Sequence, residues 1–482
     1  MKRETRSTTN IEQRFSEYLE HLSSSLGHAD RVEPFKAYSL GLLLPGERKS
    51  IEPMAARVAP ARVSAAHQSL HHFVAEANWS EEALLRSVQS YVVPAMESQE
   101  PILAWIVDDT CIPKKGVHSV GVARQYCGQL GKQDNCQVAV SMSIANHHAS
   151  LPVSYRLFLP KSWARDKERR KRAGAPQEVS FQTKTEIALD ELHALKESDL
   201  PVGVVLSDSG YGNDSELRQG VRDLELSYVL GIQKTTHVWP RGEGPLPPPP
   251  YSGKRRRSKR LRPNPDQPSV SVLDLARRLD ESAYQIVTWR EGTNEALCSR
   301  FARLRVREAH RYHLKTELPP DEWLLIEWPQ GEKEPTKYWL SNLAEAISLK
   351  DLVDLAKLRF KVDRDYQELK QELGLGHFEG RGWRGFHHHG ALCIAAYGFL
   401  VAERSAFPPS GPGQKPKLRS PAVSGRLRVR GAADPNRKAH TALDKNNSKA
   451  NHCGARAHSL PVPVLPSTKW FSKNNATRFM TQ

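Results

Sequence analysis

A chain of 482 residues, 39% apolar and 26% charged, is long enough for two or three domains and apolar enough to bury a core, which excludes a fibrous or wholly disordered polypeptide. Its 70 Lys and Arg against 54 Asp and Glu leave a formal charge of +16, a balance that favours a polyanionic partner because each phosphate neutralised releases condensed counterions. No apolar stretch follows the charged first residues, and the longest apolar run, Ala391 to Ala402, falls short of the ~20 residues that span a bilayer, so neither a signal peptide nor a membrane partner is expected. The six cysteines (Cys111, Cys127, Cys136, Cys298, Cys393, Cys453) include no pair at CxxC spacing, which argues against a zinc site or a disulfide framework and suits a reducing cytoplasm.

Residues 1–97 read as helical, with apolar residues at helical spacing in Ile11 to Leu26 and Glu81 to Met96 and no strand pattern. A helical DNA-binding domain and a packing cap on the next domain are both open readings of this segment. At Pro101 the texture changes. Ile102 to Asp109 is an apolar run ending in two acids, which predicts a buried strand with a carboxylate at its C-terminal tip. Gln137 to Ile144 and Leu151 to Leu159 follow as the other two strands of an antiparallel meander. After a charged loop, Arg165 to Arg172, Ser180 to Lys196 predicts an amphipathic helix. Val202 to Asp208 then repeats the first pattern, an apolar strand closed by an acid, before a helix near Ser215 to Asp223 and a strand at Leu226 to Ile232. The order βββ-α-β-α-β predicts a mixed α/β sheet flanked by helices, with acids where open sheets usually place their chemistry.

Residues 233–337 interrupt that pattern with a β-rich insertion. It contains the prolines 245–250, a basic loop at 254–262 with Lys254, Arg255, Arg256 and Arg257 as candidate DNA contacts, and strand-like pieces at Tyr284 to Trp289, Phe301 to Val306 and Trp323 to Trp328. Tyr338 to Leu343 predicts a strand returning to the main domain, Leu349 to Leu373 one long helix, and Phe386 to Arg404 a final helix. The catalytic unit is therefore expected over 98–232 and 338–406, followed by a disordered basic tail at 407–482. The run His387-His388-His389 points in different directions on a helix, which favours packing and phosphate contact over a metal site.

Phosphodiester chemistry asks for carboxylates gathered from rigid elements, because hard oxygen donors hold Mg²⁺. Asp109 and Asp208 at two strand tips meet that need if the strands are neighbours; capping and turn formation are the ordinary alternative for each. Arg359, Asp363 and Lys370 are spaced by four and seven residues, so one helix face presents a basic, acidic, basic stripe. A solvated salt-bridged face is the competing reading.

Several segments together resemble bacterial insertion-sequence DDE transposases. They are Val107-Asp-Asp-Thr110, Pro113-Lys-Lys-Gly116, Ser119 to Tyr126, Leu206-Ser-Asp-Ser-Gly-Tyr-Gly212, Tyr338-Trp-Leu-Ser-Asn342, and Asp365 to Lys370 leading into Gly380 to His389. The resemblance implies a ribonuclease-H-like catalytic domain interrupted by a β insertion, binding two Mg²⁺ (Mn²⁺ substituting) and acting on double-stranded DNA as a homodimer. It places the three catalytic, metal-holding acids on Asp109, with Asp108 as the adjacent alternative, Asp208 and Asp363. It also implies DNA contacts from Arg359 and Lys370, with Trp383 and His387 as further candidates. Two positions depart from the family pattern: Ala356 stands where a Tyr is expected, and Asp363 where a Glu is expected. Asp is one methylene shorter, which leaves Glu368 as an alternative third acid. The implied activity is cut-and-paste DNA transposition; a nuclease that joins no strands, and a DNA-binding protein that has lost catalysis, are the rival expectations.

Overall fold

The computed structural model describes residues 10–250, 259–290 and 297–408. The basic residues Lys254, Arg255, Arg256 and Arg257, and the tail beyond Pro408, lie outside the described residues.

Five α-helices open the described residues: α1 (Ile11–Ser23), α2 (Val32–Leu43), α3 (Ile51–Val58), α4 (Val63–Ala75) and α5 (Glu81–Glu97). Local chemistry starts them. The Asn10 side chain accepts from the amide of Glu12, and Ser80 caps α5 ahead of Glu81 and Glu82, which suit the positive end of a helix dipole. In α1 the apolar set Phe15, Tyr18, Leu19 and Leu22 recurs at helical spacing and is buried.

A meander follows, built from β1 (Ala104–Pro113), β2 (Ala123–Cys127), β3 (Lys132–Ala145) and β4 (Ser150–Leu157). The segment expected as a charged loop folds into two short helices, α6 (Lys161–Arg165) and α7 (Lys167–Arg172). Then come α8 (Lys184–Lys196), β5 (Val204–Ser207), α9 (Ser209–Gly212), α10 (Ser215–Asp223) and β6 (Tyr228–Ile232). β1 pairs antiparallel with β3 on one side and parallel with β5 on the other; β5 pairs parallel with β6, and β4 lies antiparallel to β3. The β1 run is buried along Ala104 to Val107 because both faces of the sheet are covered, which is why it reads as continuous rather than alternating apolar residues.

Residues 233–337 hold β7 (His237–Pro240), β8 (Val270–Ser271), α11 (Val272–Arg278), β9 (Gln285–Arg290), β10 (Leu297–Glu308) and β11 (Asp321–Trp328). These strands continue the main sheet: β12 (Lys337–Ser341) pairs antiparallel with both β6 and β11, giving the order β2-β3-β1-β5-β6-β12-β11-β10-β7-β8. The long helix expected over 349–373 is two helices, α12 (Leu349–Leu358) and α13 (Phe360–Gln371), meeting at Arg359. The final helix α14 (Trp383–Ala406) is buried along nearly its whole length. The N-terminal helices wrap it: Tyr18 donates to the carbonyl of Ala395 at 2.7 Å, and Arg14 grips the Glu403 carboxylate.

The three consecutive histidines are the fasteners of that packing. His387 donates from Nδ1 to Trp383 O and accepts from the Leu157 amide of β4 through Nε2. His388 stacks on Trp79 at 3.6 Å, between the carbonyls of Val74 and Trp79. His389 meets the Tyr38 hydroxyl at 2.8 Å and Gly374 O at 3.1 Å. One helix thus docks against three elements through three adjacent side chains, each pointing a different way. No helix among the described residues is long and apolar enough to cross a membrane.

Candidate active site

The middle of β1, which runs four residues past the expected acid tip, the end of β5, the start of α8 and one face of α13 border a cleft of about 640 Å³. Its lining includes Asp108, Asp109, Asp208 and Asp363 with Lys184 and Lys370. Continued two residues past its last pair, the register Ala104↔Val204 to Ile106↔Leu206 brings position 108 level with position 208, just beyond the end of β5, and neighbouring residues along a strand project to opposite faces. Asp109 therefore projects to the other face. There its carboxylate takes a 2.5 Å bond from Lys184, the first residue of α8.

Asp208 is held by the turn it creates. Its Oδ1 accepts from the amides of Gly210 and Tyr211, so it caps the short helix α9. That helix lies against β6 so closely that a side chain at Gly212 would meet the carbonyl oxygen of Gly231, which is why the Gly-Tyr-Gly stretch follows the acid. Asp363 sits in the first turn of α13, 60% exposed.

Arg359, at the α12–α13 break, bridges the acids: it reaches Asp108 Oδ2 at 3.0 Å and Asp363 Oδ2 at 3.5 Å. Burial, together with Asp363, Asp208 and Asp109, pushes the Asp108 carboxyl up to about 7 against the pull of Arg359. Burial works against the Arg359 charge, and Asp108, Asp363 and Asp208 more than offset it, so its pKa lies above the ordinary guanidinium value.

The residues expected from sequence divide clearly. Asp109, Asp208, Asp363 and Lys370 line the cleft, with Arg359 joined to its acids. Glu368 points elsewhere, paired with Arg404 at 2.8 Å. His387 is corrected as a DNA contact: it is buried, both ring nitrogens are engaged, and burial lowers its pKa to about 4. Trp383 is partly buried against the core and the His387 ring, outside the cleft lining. Lys184 was missed, although the Thr183–Glu186 capping box marks it as the first residue of its helix. Three cysteines distant in sequence also meet beside the cleft, Cys111, Cys127 and Cys136, with the Cys111 and Cys127 sulfurs 3.3 Å apart.

The donor chemistry fits a divalent metal, since carboxylate oxygens are what Mg²⁺ takes. Among the described residues no three His, Cys, Asp or Glu side chains close into a ready-made ion site. In the cleft the bridging position between Asp108 and Asp363 is held by Arg359, and Asp109 is held by Lys184.

Two comparisons bear on this geometry. A 223-residue segment is 29% identical to the "Probable transposase for insertion sequence element IS701" of Microchaete diplosiphon, covering 46% of this chain and 54% of that protein. The chain thus spans about half the length of this curated relative. The family described as DDE superfamily endonuclease matches residues 21–296, a stretch that contains Asp108, Asp109 and Asp208 and ends before Asp363. With more than half of its length matched, the chain belongs to the DDE superfamily endonucleases.

Proposed function

We propose that this chain is a transposase that cuts the ends of an insertion sequence and joins them to target DNA. The observation that carries the reading is the meeting of aspartates from β1, the end of β5 and α13 in a single cleft with Lys184, Arg359 and Lys370 around them. The strand order β4-β3-β1-β5-β6, with an antiparallel meander followed by two strands parallel to the first, supports a ribonuclease-H-like catalytic core.

Asp108, Asp208 and Asp363 are the proposed metal-holding set, because register and the shared Arg359 bring them together; Asp109 borders the set with its charge balanced by Lys184. When bound, a pair of Mg²⁺ ions supplies neutralisation of the phosphate and stabilises charge on the attacking and leaving oxygens. Arg359 has to release its carboxylates for them to share a cation, and its planar guanidinium is then free to fork two phosphate oxygens. Lys370 lines the same cleft and offers a second, single-point phosphate contact. Two element ends must be cut in concert, which favours two copies of the chain on DNA.

The test supplies a donor plasmid carrying this reading frame with its native flanks, a target plasmid, and Mg²⁺ or Mn²⁺. Joined products support transposition; cut but unjoined products identify a nuclease. If the parent protein cuts nothing, the catalytic reading is lost and a DNA-binding role replaces it. In an active enzyme Asp208→Asn abolishes cutting and leaves DNA binding in place.

A further inference from the structure

Part of the cleft lining carries no charge. Alongside the acids and lysines stand Gln125, Tyr126, Gly128 and Gln129, all from the β2–β3 hairpin. Tyr126 is 65% exposed although it borders the acid cleft. Alternation along β2 explains its direction: Cys127 is buried and Gln125 half-buried, while Arg124 and Tyr126 share the outer face. A lone exposed tyrosine on a protein surface needs no explanation. This one stands at the wall of the cleft that holds the acids, on a hairpin that is tied down there.

The tie runs through sulfur. The Cys127 thiol lies 3.3 Å from that of Cys111, and the Gln129 amide donates to Cys111 Sγ, so the hairpin turn is anchored to β1 two residues beyond Asp109. The Gln125 amide nitrogen bonds Cys136 O at 3.0 Å, fixing that side chain across the hairpin. At the turn, Gly128 has nothing within 4 Å of the point where a side chain would begin, which keeps the approach open. An open ring on a tied-down hairpin, beside an acid, lysine and arginine cluster, matches the two-part chemistry of a nucleotide: phosphate to the charged end, planar base to the aromatic end.

Resting on the transposase reading above, we infer that the hairpin 123–136 is a subsite for an unpaired nucleobase next to the phosphate being cut, with Tyr126 as its stacking face. Gln129, in the turn that follows, borders the base position, and Arg124, on the outer face beside Tyr126, meets a flanking phosphate. Stacking tolerates any base, so the subsite recognises the unpaired state of the strand rather than its sequence.

The test uses the full chain without divalent metal, so that no cutting occurs, and two fluorescent duplexes. One ends blunt; the other carries a short 3′ overhang whose single unpaired purine is 2-aminopurine. The expected result is quenching of the overhang probe by the parent chain. Tyr126→Ala should lose the quenching and bind the overhang DNA roughly five- to a hundredfold more weakly, with blunt-duplex binding unchanged; Tyr126→Trp should restore both readouts. Equal quenching by parent and Tyr126→Ala overturns the subsite, as does no quenching by the parent or an equal loss on both probes. Cutting assays on the parent keep the two readings apart. A parent that stacks the base and cuts nothing removes the transposase reading alone; one that cuts while Tyr126→Ala behaves like it on both probes removes the subsite alone.

Discussion

Charge gathers at two places close to Asp208, and they are built in opposite ways. Where α10 meets the strands of the insertion, Arg218 and Glu308 are 1% and 2% exposed and bond at 2.5 Å. Beside them Arg222 joins Glu322, whose carboxylate also takes a 2.6 Å bond from the Tyr228 hydroxyl. In the cleft, Lys184 and Asp109 are about a third exposed, Arg359 divides itself between two aspartates, and Asp363 is largely wet. The first arrangement pairs its ions inside the protein, where breaking a pair leaves an uncompensated charge. The second leaves carboxylates close together with cations that can move aside, which is what a site needs if it is to exchange its counter-ions for metal and phosphate. The insertion is thereby locked to α10, while the acids themselves stay available.

The largest expected effect is on chemistry at the open cluster. Asn at position 208 keeps the cap on α9, since Asn and Asp serve equally at that position, but removes a charged ligand. Metal-dependent cutting should fall below detection while the denaturation midpoint stays at the parent value. A large drop in midpoint would mean that the cleft carboxylates hold the fold together and would erase the contrast.

At the closed cluster the order reverses. Arg218→Met should reduce stability by about 3–5 kcal/mol, the usual consequence of stranding one buried ion, measured by chemical denaturation. Replacing Glu308 by Met as well should recover most of the loss, because two apolar side chains leave no charge behind. A single variant within about 1 kcal/mol of the parent would show that the Glu308 charge is compensated without Arg218, by water or by Lys315, whose Nζ lies 3.8 Å from its other oxygen, and that the junction does not depend on the buried pair.

A third kind of buried polar group sharpens the comparison through pH. His387 and His389 are neutral in the fold, one ring nitrogen donating and the other accepting, and burial lowers both to about 4. The unfolded chain takes up their protons near pH 6.5, so the stability they contribute is complete above that value and is lost as pH falls toward 4. Each should account for an order of 3 kcal/mol between those limits. Denaturation midpoints of the parent and of His389→Gln across pH 4–7 check it; parallel curves would show that position 389 adds nothing to the acid sensitivity.

Much of this was legible from residues close together in the chain. Ile102 to Asp109 and Val202 to Asp208 each place an acid at the end of an apolar run, and a parallel pairing of two such runs brings the acids together. Arg359 and Asp363 meet because four residues make one turn of helix. What stayed hidden depends on partners distant in sequence. Nothing near Lys184 announces Asp109, 75 residues earlier, and nothing in residues 233–337 announces that their strands extend the main sheet through β12. The preference for Asp108 over Asp109 in the proposed metal-holding set rests on register and on Arg359, which a run of two identical residues cannot reveal. The break at Arg359 falls inside an unbroken amphipathic pattern with no Gly or Pro to mark it.

The smallest expected effect tests the contrast at a cleft pair as short as the structural one. Lys184 Nζ and Asp109 Oδ2 stand 2.5 Å apart, as close as the Arg218–Glu308 contact in the dry junction. Distance alone would rank the two pairs together; exposure separates them, because water and salt screen a pair that is a third open. Lys184→Met should therefore change stability by about 1 kcal/mol or less, and 1 M salt should remove most of that difference. A loss of several kcal/mol that survives high salt would show Asp109 anchored as firmly as Glu308. Asp109 would then be a structural acid of the sheet, and the exchangeable cluster would contract to Asp108, Asp208 and Asp363.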